Sequence, residues 1–182
     1  MHKDPIAEAE RLFQEKGQDA YSEAISQIEH ALQCARLAEE ETGDPELITA
    51  ALLHDIGHLM TKLGQDAADK GIDDKHEDIG EGWLSRHFTP RVATTVGQHV
   101  QAKRYLCTVR DGYFASLSPA SVQSLQLQGG PMTGDEAETF SRQSFLDDAV
   151  KLREWDERGK VPNLKTPDFA HFKPYMEKAL RA

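Results

Sequence analysis

The sequence predicts an all-α protein, one helical bundle domain over residues 1–182, and three observations lead there. Apolar residues recur at three- and four-residue spacing almost throughout, not in alternation. Helix-start signals recur along the chain, as Asp44-Pro45, Thr89-Pro90, Ser118-Pro119 and two capping-box patterns. No repeat, low-complexity tract or Pro/Gly/Ser linker divides the chain, and 182 residues fall in the range of one domain with a sizeable core.

Ile6, Ala9, Leu12 and Phe13 make a short amphipathic stripe that ends at Gly17. A second helix is expected from about Ala20 to Glu41, with Ile25, Ile28, Leu32, Ala35 and Leu37 inward and Gly43 as its stop. Asp44 caps a third, which runs through the apolar stretch Leu47–Leu53 to Gly57. Residues 60–74 read as a loop around Gly64 and Gly71. Asp74-Lys75-His76-Glu77 reads as a capping box opening a helix to about His87. Thr89-Pro90 opens the next, through Val92, Val96 and His99 to about Leu106. Ser118-Pro119 starts a short helix stopped by Gly129-Gly130-Pro131. Thr133 to Glu136 is a second capping box, expected to open one long helix containing Phe140, Phe145, Val150, Leu152 and Trp155. A last helix follows Thr166-Pro167.

The charge balance excludes some functions. With 21 Lys+Arg against 31 Asp+Glu the formal charge is −10, which argues against neutralising nucleic-acid backbones or anionic membranes. No apolar run approaches the ~20 residues of a membrane span. The N-terminus leads into a charged helical pattern without the apolar stretch of a signal peptide. Cys34 and Cys107 make no disulfide framework, so a cytoplasmic protein is expected. Eight histidines beside two cysteines are the notable feature.

Several of these histidines sit in apolar helical surroundings. His54-Asp55 closes the run Leu47–Leu53, where a buried carboxylate needs a partner or a metal. His30 lies between Ile28 and Leu32, and Asp156 follows Trp155 near the far end. His76 and His99 extend the series to six hard-to-borderline donors, a set suited to Fe, Mn, Zn or Mg. A lone histidine such as His99 is ordinarily a hydrogen-bonded core or surface residue; the joint pattern is what points to a metal. His87 and His171, in polar stretches, read as structural, and Glu39-Glu40-Glu41 as a solvated face.

The order His30, His54-Asp55, Asp156 resembles the signature of the HD-domain superfamily, helical metal-dependent phosphohydrolases and, more rarely, oxygenases. A closer resemblance runs through Tyr21–Ala35, Ala50–His58, His99–Leu106, Leu127–Met132 and Arg153–Asp156. These stretches resemble the HD-domain mixed-valent di-iron oxygenases that cleave the carbon–phosphorus bond of 1-hydroxyphosphonates. Activities in that group turn 2-amino-1-hydroxyethylphosphonate into glycine and phosphate, or its N-trimethylated counterpart into glycine betaine and phosphate.

The resemblance implies two iron ions, Fe(II)/Fe(III), held by His30, His54, Asp55, His76, His99 and Asp156, with Asp55 as the bridge. It implies a proton-transfer role for His58 and phosphonate contacts from Lys103 and Arg153. Ser121 and Ser124 would donate hydroxyls to the phosphonate, and Gln128 would lie beside the site. Tyr21 and Glu23 match a lid tyrosine and an amine-reading glutamate, but stand two positions apart where the glycine-forming relative has three. The segment Tyr105–Ser121 is more similar to the trimethylammonio subgroup. The implied partners are a hydroxyphosphonate and O2. The competing readings are an HD phosphohydrolase using the same ligands to activate water, and a non-catalytic binding module. O2 consumption separates the first, and loss of ligands would mark the second.

Overall fold

Several helices begin where a side chain satisfies an orphan backbone N–H, as Asp4, Ser26, Asp44, Ser118, Thr133 and Asp168 do. The computed structural model describes residues 4–20, 24–61 and 70–182. Among these there are twelve helices: α1 Pro5–Lys16, α2 Gln27–Thr42, α3 Pro45–Leu53, α4 Ile56–Met60, α5 His76–His87, α6 Pro90–Gly97, α7 His99–Val109, α8 Tyr113–Ser116, α9 Pro119–Leu127, α10 Gly134–Phe140, α11 Leu146–Arg158 and α12 Phe169–Lys178. The only β pairing among the described residues is two isolated bridges, Ala20 with Ser26 and Phe88 with Leu180.

Asp44 caps α3 as the proline-led start anticipates, Asp4 caps α1 in the same way, and Thr133 with Glu136 closes a reciprocal capping box on α10. The expected second helix begins later than Ala20. Ser26 and Glu29 form the capping box that opens α2 at Gln27, and Gly43 ends it in the left-handed region at φ 63°. Three long helices expected from the sequence are each broken. The stretch from Pro45 splits at His54-Asp55, the stretch from Pro90 splits at Gln98, and the stretch from Gly134 splits between Phe140 and Leu146. At the third break Phe145 takes a left-handed φ of 61° and turns the chain into α11. The one-turn helix α8 lies outside the expected elements. The predicted capping box at Asp74 does not form either. Lys75 occupies the N-cap at φ 49° with no side-chain cap of its own, and the Asp74 carboxylate takes the His76 backbone N–H together with two histidine rings.

The helix α3 is buried over Leu47–Leu53 and packs against α2, α6, α11 and α12. Around it Trp155, Phe88, Phe172, Ile48, Leu52 and Leu53 are fully buried in one core, which α1, α4 and α5 complete. Truncating a leucine here to alanine typically costs about 2–5 kcal/mol. Two smaller apolar clusters lie beyond α7. Ala102, Met132, Ala137, Phe140 and Ala149 form one, and Leu106, Tyr113, Leu117 and Leu125 the other. They fix α9 and α10 against the far side of α7 and so place the serines of α9 beside its lysine.

Candidate metal centre

The helix breaks are what aim the histidines. A helix end leaves carbonyls without partners. The His54 ring donates Nδ1–H to the Ala51 carbonyl at the end of α3 (2.8 Å), and His99 does the same to Val96 at the end of α6 (2.7 Å). His30 on α2 donates to the carbonyl of Gly159, which caps α11 (2.7 Å). His76 points Nδ1 at the Asp74 carboxylate (3.0 Å). With Nδ1 occupied in all four rings, Nε2 is the atom that faces inward, and in the neutral ring it offers the lone pair through which imidazole binds metal.

The four Nε2 atoms converge on two carboxylates. Asp55 Oδ2 lies 3.2 Å from His54 and 3.7 Å from His30, while its Oδ1 lies 3.4 Å from His76 and 3.6 Å from His99. Asp156 closes the first half, 3.4 Å from His30 and 3.9 Å from His54. The Nε2 atoms pair at 3.2 Å (His30, His54) and 3.1 Å (His76, His99). Bonds of about 2.0–2.2 Å to one ion put neighbouring ligand atoms about 3.0–3.4 Å apart, so the donors fit a metal in each half with Asp55 between them. All six side chains are buried.

The electrostatics agree with that chemistry. Burial works against ionising Asp55, but His54, His99 and His58 hold its carboxyl well below the usual range. Asp156 is likewise held down, with Arg153 and Lys160 overcoming its burial. Burial opposes protonation of His54, yet the two carboxylates push it up to about 9. Burial, then the neighbouring His58, pushes His76 down to about 3. Two anions thus face imidazoles of opposed basicity, a field that a bound cation satisfies.

His58 stacks on His76 at 3.8 Å between ring centroids. Its Nδ1 sits 2.5 Å from Asp74 Oδ2, and its Nε2 lies 3.9 Å from Asp55 Oδ1. Asp74 therefore serves both rings at once. Sequence reading took it for a helix cap; its position two residues before His76 was the available signal.

Beyond Asp156 lies a buried cationic region. Lys103, 2% exposed, donates to Ser124 Oγ at 2.8 Å, and burial followed by Arg153 pushes its ammonium down to about 7. The buried Arg153 binds Asp156 at 2.5 Å, Glu157 and the Tyr113 hydroxyl. Ser121 receives Ser118 Oγ at 3.0 Å and Lys160 Nζ at 3.3 Å. The Gln128 amide oxygen is buried with no hydrogen-bond partner among the described residues. Lys103, Arg153, Ser121 and Ser124 thus come together as a group. Tyr21 and Glu23 lie outside the described residues. Glu157, Tyr113 and Lys160 were missed in the sequence because nothing local distinguishes them from surface polar residues. His171 pairs with Glu39 on the outside, as its structural reading implies.

A family model described as HD domain matches residues 28–128, more than half of the chain. The chain is 44% identical over 170 residues to hydroxymethylphosphonate dioxygenase of Gimesia maris, covering 93% of this chain and 85% of that protein. It is 39% identical over 168 residues to 1-hydroxy-2-(trimethylamino)ethylphosphonate dioxygenase (glycine-betaine-forming) of Leisingera caerulea, covering 92% and 86%. An uncharacterised protein of Acanthamoeba polyphaga mimivirus is 36% identical over 148 residues, 80% of this chain and 67% of that one. A histidine/aspartate cluster with metal-site chemistry, the HD match and the two dioxygenases aligned over nearly the full chain lead to one conclusion: the chain belongs to the HD-domain family and, within it, to the phosphonate oxygenase group.

Proposed function

We propose that this protein is a di-iron oxygenase that uses O2 to cleave the carbon–phosphorus bond of a 1-hydroxyalkylphosphonate. The observation that carries the reading is the position of Asp55, one oxygen toward each pair of histidines, in a centre whose second carboxylate, Asp156, is paired with Arg153 beside the buried Lys103. The overall change balances as R–CH(OH)–PO3H2 + O2 giving R–COOH + H3PO4. Two iron ions, Fe(II) and Fe(III), would supply a Lewis-acidic anchor for substrate oxygens and the electron for activating O2. His30, His54 and Asp156 would hold one, His76 and His99 the other, and Asp55 both.

The chain's own residues do the rest. Lys103 and Arg153 take the phosphonate through charge-assisted hydrogen bonds, which a dianion in a protein of net −10 requires. Ser121 and Ser124 add hydroxyl contacts, and Gln128 would add an amide. His58, held by Asp74 and close to Asp55, is placed to take or return a proton at Nε2. Burial of Lys103, Arg153, Ser121 and the six donors keeps bulk water away from the reacting carbon.

The two named relatives act on substrates that differ in the group R. Tyr21 and Glu23, on the chain just before α2, are assigned to the nitrogen end of a substrate that carries one, and the Tyr105–Ser121 segment favours the trimethylammonio compound and glycine betaine. The chain is read as one HD domain. No helix among the described residues is long and apolar enough to cross a membrane, and two free cysteines fit a cytoplasmic setting.

The test is to load the protein with iron anaerobically, then admit O2 with hydroxymethylphosphonate, the 2-amino compound and the trimethylammonio compound in turn. Equimolar O2 uptake and phosphate release is expected from at least one. Lys103→Ala should raise KM at least tenfold with iron content intact. Phosphate release from a phosphate ester without O2 uptake, and none from the phosphonates, would overturn the reading in favour of a phosphohydrolase.

A further inference from the structure

Residues 159–161, which follow α11, are pinned to one face of α2. The Gly159 carbonyl accepts from His30 Nδ1, and both ends of the Gln33 amide bind Val161: Nε2 donates to its carbonyl at 2.8 Å and Oε1 accepts its N–H at 2.9 Å. A Cβ on Gly159 would lie 2.5 Å from Cys34 Sγ, so the close approach requires glycine there. His30, Gln33 and Cys34 stand three and four positions apart on α2, one helical face. The backbone on both sides of residue 160 is therefore fixed from the helix that carries His30.

That backbone delivers Lys160. Its ammonium lies 3.5 Å from Asp156 Oδ1, 3.4 Å from Glu157 Oε2 and 3.3 Å from Ser121 Oγ, with its side chain 17% exposed. Lys160 and Arg153 both act on the Asp156 carboxyl, and both oppose the charge on Lys103, so the three cations form one electrostatic group. Among the described residues, Asp156 and Glu157 are the carboxylates that pair with these cations. Lys160 adds a third cation to the group formed by Lys103 and Arg153, which strengthens its attraction for a phosphonate anion.

Lys160 also sets a hydroxyl. Ser121 Oγ accepts from both Ser118 and Lys160, which occupies its two lone pairs and leaves its own hydrogen to donate. We propose that Lys160 is a positioning residue for the substrate and product anion, adding its charge to the Lys103–Arg153 group and turning Ser121 into a donor toward the anion. This rests on the function proposed above, and it assigns a role to a residue outside the set that the resemblance implied.

The experiment uses the iron-loaded protein, with Lys160→Met to remove the charge at similar length and Lys160→Arg to restore it. Three quantities are read: iron per chain, KM and kcat for whichever hydroxyphosphonate is turned over, and the Kd of inorganic phosphate by calorimetry. In Lys160→Met, KM and the phosphate Kd should rise together by about tenfold or more, kcat should stay within about threefold, and both irons should remain. Lys160→Arg should return both constants to within about threefold of the parent. Unchanged KM and Kd in Lys160→Met would overturn the proposal, and so would loss of iron in that variant, since Lys160 would then be supporting Asp156 alone. Phosphate binding needs no turnover. A protein that binds phosphate through Lys160 but oxidises no hydroxyphosphonate would sink the oxygenase reading and leave the assignment of Lys160 standing.

Discussion

Replacing Asp74 by asparagine should empty one half of the metal centre and spare the other. The Asp74 carboxylate accepts from two rings, His58 Nδ1 at 2.5 Å and His76 Nδ1 at 3.0 Å, and from the His76 backbone N–H at 3.3 Å. Burial raises its pKa, but hydrogen bonds from the two rings outweigh that and hold the carboxyl well below its usual range, so it is ionised at neutral pH. An asparagine keeps one acceptor oxygen and offers an NH2 to whichever ring it does not serve. Facing a donor, that ring must turn or move its proton to Nε2. For His76 the shift puts hydrogen on the atom aimed at Asp55 Oδ1, where a ligand needs a lone pair. Loss of such an outer partner typically weakens metal binding about 10–100-fold, or about 1.4–2.7 kcal/mol. The rings of His30 and His54 are anchored on the Gly159 and Ala51 carbonyls, so their half keeps its geometry. Anaerobic chelator titration with metal counted per chain is the assay. The variant should release one ion at about ten- to a hundredfold less chelator than the parent, and the second at the parent's value. Equal retention of both ions, or earlier release from the His30 half, would refute the reasoning.

Lys103 gives a pH prediction. Its folded pKa, about 7, lies below the unfolded value of about 10.4, so the native state binds fewer protons between those values and stability rises with pH across that window. Anion binding needs the ammonium, so phosphate binding at pH 8–9 should take up a proton, read as a dependence of the calorimetric heat on buffer ionisation; Lys103→Arg should abolish it. Gly57→Ala places a Cβ 1.9 Å from the His76 carbonyl, backbone that cannot give way, and should cost at least about 1–3 kcal/mol in urea unfolding and weaken metal binding through α5. Ser26→Ala removes the capping box of α2 and should cost about 1 kcal/mol by the same measurement. Arg91→Leu strands Asp148, Asp44 and Glu46, which the guanidinium joins at 2.7–3.1 Å, and should destabilise by about 1–3 kcal/mol, less at high salt.

Helix class and most helix starts were legible because they depend on neighbours. Asp44-Pro45 and Thr133 to Glu136 satisfy orphan N–H groups within three residues, whatever the rest of the chain does. The breaks were not legible. From periodicity alone, Pro90 to Leu106 is one helix. It divides at Gln98 where Val96 takes a ring N–H from His99, and nothing in the spacing of apolar residues records that choice. Asp74 was misread for the same reason. A cap and a two-histidine clasp look alike in sequence, and the second histidine, His58, is 16 residues away. Lys160 and Glu157 carry no local mark at all.

By itself, the sequence singled out the residues that converge. His30, His54, Asp55 and Asp156 stand out as polar residues in apolar helical surroundings, His76 and His99 extend the series, and the candidate metal chemistry depends on residue type. Tertiary structure decided how they are aimed and what lies beside them. The Gly159 carbonyl that orients His30 is 129 residues from it, and the Val161 backbone that grips Gln33 is 128 away. Ring orientation and pocket charge are set by these long-range contacts, which exist only once α11 has packed onto α2, because a hydrogen bond fixes direction through distance in space and is indifferent to distance along the chain.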